Sequence, residues 1–383
     1  MTLDLTWVRA QFPSLASEWA LLDSAGGSQI LGRVIERVRE FYLTSNVQLG
    51  GAYAPSVLAG ERVAAAGVGL QQFFGAREAC ELVQGASSTQ LLANLAQAFA
   101  PSLKPGDEIV VTDCDHEANI GPWRRLASRG VVVREWRVDH ESFALRAEDL
   151  EPLLGPRTRL VCFTHASNLL GVVHPVEEWT RLVHAHGAQV CVDGVAFAPH
   201  RPLAVAAWDV DYYVCSLYKV FGPHQAALYG KRERLLALAK LNHEFIGDDE
   251  VPYKLQPGGV SYELAHALGG IFEYLREVPA AEIQAHETRL LERLLGYLRG
   301  KRGVRLIGRP EVPTISFTVD GRRASEIVEA VAQRKVGIKH GHFYAKRLCD
   351  ALGLSDGVVR ASLVHYNTLD EVDRLAAALE EAL

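Results

Sequence analysis

Lys219 stands in "DYYVCSLYKVFGP" (residues 211–223), where a run of aromatic and β-branched residues gives way to Ser216, Tyr218 and a Gly-Pro turn. An amine at the exit of an apolar strand is partly desolvated, and such an amine is a nucleophile near neutral pH. Taken alone, the lysine fits a snorkelling residue at a sheet end equally well. Other strand-like runs also end in polar groups. Asp193 follows "AQVCV", and His116, Glu117 and Asn119 follow "EIVVTDCD". His165, Ser167 and Asn168 close "RLVCFTH", while Ser87 and Ser88 open "GASSTQ" after "ELVQ". Each has an ordinary structural role open to it, since Asp and Asn build turns and serines cap helices. The set is more informative than any member.

The elements that must carry these groups alternate. Between about residues 80 and 230, the runs "CELVQG", "DEIVVTDCDH", "GVVVREWRV", "TRLVCFTHAS", "AQVCVDGVAF", "DYYVCSLYK" and "QAALYG" read as strands. Stretches such as "TQLLANLAQAFAPSL" and "VEEWTRLVHAHG" show helical apolar spacing. This alternation predicts an α/β fold with a largely parallel sheet covered on both faces. Beyond the helical stretch around 262–299, "TISFTVDG", "ASEIVEAVAQRK", "VGIKHGHFY", "GVVRASLVHYN" and "TLDEVDRLAAALEEAL" read as strand, helix, strand, strand and helix. That pattern is a smaller α+β unit. Thr368 is the expected N-cap of the last helix. The division expected is a large domain over 21–275 and a small one over 276–383, with residues 1–20 joining the small domain.

In such sheets ligands bind beyond the carboxyl ends of the strands. The groups gathered there are a serine-rich helix start that suits a phosphate, a carboxylate and an amine. Together they match pyridoxal phosphate, whose aldehyde takes a lysine as a Schiff base and whose pyridine nitrogen takes a carboxylate. Asp193 and Lys219 lie 26 positions apart, the length of one strand–connection–strand unit. On this reading His116 stacks on the ring, Asn168 meets the ring hydroxyl, and Ser216 reaches the phosphate with Ser87 and Ser88.

Composition narrows the class. The chain has 383 residues, a net charge of −6, and 48% hydrophobic and 22% charged residues. It is globular, without the basic footprint of a nucleic-acid binder. Six scattered cysteines without CxxC spacing suggest reduced thiols, and no signal peptide or membrane span is evident, so a cytoplasmic location is expected. His340 and His342 in "HGH" lack further ligands nearby in sequence, so no metal site is expected.

The chain resembles the class V aminotransferase family of fold-type I pyridoxal-phosphate enzymes, in its cysteine desulfurase-like branch. The resemblance rests on "LDSAGGSQ" (22–29), "DHEANIGPW" (115–123), "THASNLLGVVHPV" (164–176), "VDGVAFAPHRPLAV" (192–205), "VCSLYKVFGPH" (214–224), "LQPGGVSYEL" (255–264) and "VRASLVHYNTLDEVDRL" (359–375). It implies a large domain with a mixed, mostly parallel seven-stranded sheet and a homodimer. It assigns ring stacking to His116, the pyridine nitrogen to Asp193, the Schiff base to Lys219 and the substrate carboxylate to Arg360. The loop at 255–261, with Gly259, would reach the neighbouring subunit's phosphate.

Departures from that pattern bear on the reaction. Tyr344, in "KHGHFYAKRLC", stands where related desulfurases carry a nucleophilic cysteine on a mobile loop, and a tyrosine cannot hold a persulfide. Cys349 lies five residues further on and reads as a core thiol. Tyr218 replaces a histidine, Ala196 a polar residue, and Gly259 a frequent threonine. The resulting expectation is a lyase-type β-elimination on a small, cysteine-like amino acid bound by Arg360, with Tyr344 nearby. An aminotransferase or epimerase is the alternative on the same scaffold, and an inactive cofactor-binding partner protein the alternative of another class.

Overall fold

The computed structural model describes residues 3–383. Seven strands form the main sheet: β2 (Leu82–Gly85), β3 (Glu108–Thr112), β4 (Val132–Trp136), β5 (Thr158–Thr164), β6 (Gln189–Asp193), β7 (Tyr212–Ser216) and β8 (Ala226–Gly230). Their order is β2-β8-β7-β6-β5-β3-β4. All pairings are parallel except those of β8, which runs antiparallel to β7 and to β2. The seven strand runs read from the sequence are thus the seven strands of one mixed sheet. Strands β3, β7 and β8 are buried along their whole length, as expected where helices cover both faces.

The covering helices follow from their apolar spacing. Helix Ser88–Phe99 buries Leu91, Leu92, Leu95, Ala96, Ala98 and Phe99, and the Ser87 hydroxyl caps it by accepting from the Gln90 N–H. Helix Val176–Ala185 buries Val176, Trp179, Thr180 and Val183. The stretch at 262–299 is three helices, Tyr262–Ala267, Gly269–Glu277 and Ala280–Arg299, with Pro279 at the last break. The boundary expected at 275/276 falls inside the second of these helices.

A four-stranded antiparallel sheet, β12-β13-β10-β9, combines β9 (Val304–Ile307), β10 (Thr314–Val319), β12 (Lys339–Gly341) and β13 (Val358–Ser362). The N-terminal strand β1 (Ala20–Leu21) pairs in parallel with β11 (Val336–Gly337). "VGIKHGHFY", expected as one strand, is therefore two strands in different sheets. The chain changes partner at buried Ile338 and then passes the β12 end, where Gly357 (φ 74°) meets Gly341 so closely that any Cβ on Gly357 would strike the Gly341 backbone at 2.4 Å. The last helix, Leu369–Ala382, starts from Thr368 with a full capping box, Glu371 returning a bond to the cap N–H.

Candidate active site

Parallel strands put their carboxyl ends on one side, and the polar groups noted above converge there. A cleft is lined by Ser88, Thr89, His116, Asn168, Asp193, Ser216, Tyr218 and Lys219, with Thr164, Ala118, Ala166, Val195 and Ala196 completing its wall. Asp193 ends β6, and Ser216 ends its neighbour β7, with Lys219 one short helical turn later. Gly194 lets the chain leave β6 against the face of Tyr213, since a Cβ there would lie 2.0 Å from that ring.

Lys219 is buried, and among the described residues its amine has neither a hydrogen-bond nor an ion-pair partner. Burial, reinforced by the Arg360 charge, pulls its pKa down to about 8, with Asp193 opposing. Asp193 is equally enclosed. One carboxylate oxygen accepts the Val195 N–H at 2.9 Å, and burial raises its pKa against that bond and the Lys219 charge. The Ser88 and Ser216 hydroxyls meet at 2.7 Å, joining the helix start to the β7 end.

His116 is placed by the residue before it. Buried Asp115 accepts from Thr112 Oγ1 and Asn119 Nδ2 at 2.6 Å and from the Thr164 N–H at 2.9 Å, so it ties the ends of β3 and β5 to the short helix after His116. His116 Nδ1 accepts the Ala118 N–H at 3.1 Å. Burial, then the Lys219 and Arg360 charges, lower its pKa to about 4, so at neutral pH the ring is uncharged and carries its proton on Nε2.

Arg360 comes from β13 and is only 2% exposed. Nη1 donates to the Asn168 carbonyl at 3.0 Å, Nη2 pairs with Asp23 at 2.9 Å, and the guanidinium lies 3.7 Å from the Phe343 ring centre. Its Nε is buried without a partner. Asn168 donates through Nδ2 to the Phe343 carbonyl at 2.7 Å. Tyr344 is 66% exposed, its ring 4.8 Å from that of His116.

Two residues expected at a cofactor do not line this cleft: Ser87, next to it, and Gly259, expected at the neighbouring subunit's phosphate. The Ser87 hydroxyl is engaged as a helix cap, and Thr89 rather than Ser87 lines the wall. Gly259, with φ 79°, lines a separate pocket with Gln84, Gln90, His224 and Gln225. His165 is structural: it stacks on Phe197 and bonds the Tyr213 hydroxyl at 2.9 Å. Cys349 is buried in helix Lys346–Ala351, and burial raises its thiol to about 11. His340 and His342 are exposed, and His342 Nδ1 accepts the Tyr344 N–H. Sequence reasoning missed Asp23 and Asp115, although "LDSAGGSQ" and "DHEANIGPW" contain them.

The residues fit pyridoxal phosphate on their own chemistry. An unpaired buried amine, a carboxylate with an oxygen to spare, and a hydroxyl-lined helix start share one cleft with a flat neutral imidazole.

A family model, Aminotransferase class-V, matches residues 20–375. Aminotransferase-like protein FGM3 of Gibberella zeae is 41% identical, the match covering 98% of each chain. Cysteine desulfurase-like protein ustD of Aspergillus flavus is 34% identical over 99% of this chain and 90% of its own. The crystal structure of the cysteine desulfurase CsdA from Escherichia coli superposes with a TM-score of 0.90 at 29% identity, covering 100% of this chain and 99% of that one.

Proposed function

Because the chain belongs to the class-V aminotransferase family, whose members are pyridoxal-phosphate enzymes, we propose that it binds a small α-amino acid and releases its β-substituent, as a carbon–sulfur or related lyase does. The observation that carries this reading is the buried, unpaired amine of Lys219 beside Asp193 and within the field of Arg360. When bound, pyridoxal phosphate supplies an aldehyde for an amine and a ring that accepts electron density from the α-carbon.

This chain's residues would do the rest. Ser88, Ser216 and the helix start hold the phosphate, and Asp193 keeps the pyridine nitrogen protonated. Neutral His116 packs on the ring face. Arg360, which the resemblance assigns to the substrate carboxylate, is held by the Asn168 carbonyl and Asp23 and would exchange one of these contacts for that carboxylate. Lys219, whose pKa burial lowers to about 8, has a neutral fraction near physiological pH that would take the α-proton as a general base. Cys114, Cys162, Cys191, Cys215 and Cys349 are buried, and Tyr344 stands over His116, which favours release of a sulfur leaving group over its capture as a persulfide. A homodimer, with the 255–261 loop reaching the partner's phosphate, belongs to the same reading and rests on the resemblance; a cytoplasmic location rests on the scattered, unpaired cysteines. Among the described residues no helix is long and apolar enough to cross a membrane.

The test is made on purified holoprotein. Borohydride should fix the cofactor to Lys219, as read by peptide mass. A panel of β-substituted amino acids should yield pyruvate or its homologue with the free leaving group. A cofactor bound elsewhere than Lys219 overturns the site. Amino transfer to a keto acid without β-release, or exchange of the α-proton with retention of the amino acid, replaces the lyase with a transaminase or an epimerase.

A further inference from the structure

The segment Gly341–Ala345 starts at the last residue of β12 and carries Tyr344, yet it is tethered on several sides. The Phe343 carbonyl accepts from Asn168, and the Phe343 ring lies under Arg360. The Tyr344 carbonyl accepts the Glu117 N–H at 2.9 Å. Arg347, at the start of the next helix, donates Nε and Nη2 to the two carboxylate oxygens of Glu117, both at 3.1 Å. Glu117 thus grips the segment twice, through its backbone and through a bidentate ion pair, and it directly follows His116. Phe343 (φ 48°) and Tyr344 (φ 61°) are both left-handed, a conformation that aromatic residues hold only where surrounding contacts fix it. The product of this strain is specific: the Tyr344 ring rests against that of His116, which lines the cleft.

We propose that Glu117 and Arg347 are positioning residues that clamp Gly341–Ala345 so that Tyr344 forms a fixed wall over His116 and limits the size of the β-substituent admitted. The clamp is a property of this chain's own contacts; the word β-substituent rests on the reading given above. A mobile segment at this position would swing into and out of the cleft, whereas a clamped one acts as a size filter.

Two readouts separate the clamp from the reaction. In the cofactor-free full chain, Arg347→Gln should speed hydrogen exchange at the Glu117 amide and across residues 343–347 by roughly fivefold, the loss expected of a half-exposed ion pair. Exchange in β6 and β7 should not change. Equal exchange at 343–347 in wild type and variant overturns the clamp, whatever the enzyme's reaction. In the holoprotein, Arg347→Gln and Tyr344→Ala should each raise kcat/KM for bulky β-substituted amino acids relative to small ones several-fold. The exchanged pair Glu117→Arg with Arg347→Glu should restore both protection and selectivity. If exchange rises but the bulky-to-small ratio stays at its wild-type value, Tyr344 is not the filter. If the exchanged pair restores neither, the Glu117–Arg347 charge contact is not what positions the segment.

Discussion

At the floor of the cleft, Asp193, Ser216 and Lys219 hang from adjacent parallel strands and are almost wholly enclosed, whereas at its rim Tyr344 is 66% exposed on two successive left-handed residues. The floor is held by sheet register and by backbone donors such as the Val195 N–H. The rim is held by long side chains that reach across from other elements, Arg347 to Glu117 and Arg360 to Asp23. The difference assigns different work to each. A floor fixed by the sheet suits a cofactor that never varies, and a rim fixed by a few side chains can be changed residue by residue to suit a substrate.

From that division the largest effect lies at the floor. Lys219→Ala should lower kcat/KM by at least about 10³-fold, since it removes both the amine that takes the cofactor and the base at the α-carbon. Steady-state kinetics with any accepted substrate checks this, and a loss under tenfold would break the assignment. The same residue carries a stability signature independent of catalysis. Its pKa is lowered on folding, from the ordinary lysine value to about 8, chiefly by burial. The unfolded chain therefore binds more protons between about pH 8 and the unperturbed value near 10.4, so stability rises with pH across that window. Lys219→Met should stabilise the cofactor-free protein most below pH 8, and the gain should shrink as pH rises toward 10. Denaturant unfolding at pH 7 and pH 10 measures it; a gain that grows with pH would contradict the buried-amine account.

Where floor and rim join, Arg360→Lys should cost roughly ten- to a hundredfold in kcat/KM, seen mainly in KM. The guanidinium is used on several edges at once, by the Asn168 carbonyl, by Asp23 and by the Phe343 ring, and an ammonium cannot reproduce that fork. A loss under threefold would place carboxylate recognition elsewhere.

The same contrast explains what could be read in the sequence. Strand ends are legible because period and burial reveal β6 and β7, whose ends must face one side; Asp193 closes β6, and Lys219 follows β7 by one short turn. The capping box at Thr368 was legible because its chemistry is local. Ser87 is ambiguous for a local reason too, since a cap and a phosphate ligand look alike in sequence and the hydroxyl here accepts the Gln90 N–H. Contacts at the rim were not legible. Glu117 and Arg347 are 230 positions apart, Arg360 and Asp23 are 337 apart, and no periodicity links them. "VGIKHGHFY" reads as one strand, although two sheets compete for it and divide it at Ile338.

The smallest effect expected is that of Tyr344→Phe, and it bears most directly on the rim. The phenylalanine keeps the ring that rests on His116 and keeps both backbone tethers, so the wall stays in place. Only the hydroxyl is lost, and at the rim it is largely in water. Turnover should therefore fall by no more than about two- to threefold, in the range of an exposed polar contact, with substrate preference unchanged. Tyr344→Ala, by contrast, removes the wall itself. Competition kinetics between a small and a bulky substrate distinguishes the two variants. Should Tyr344→Phe alone abolish turnover, the hydroxyl would be moving a proton, and the rim would belong to the chemistry as much as the floor does.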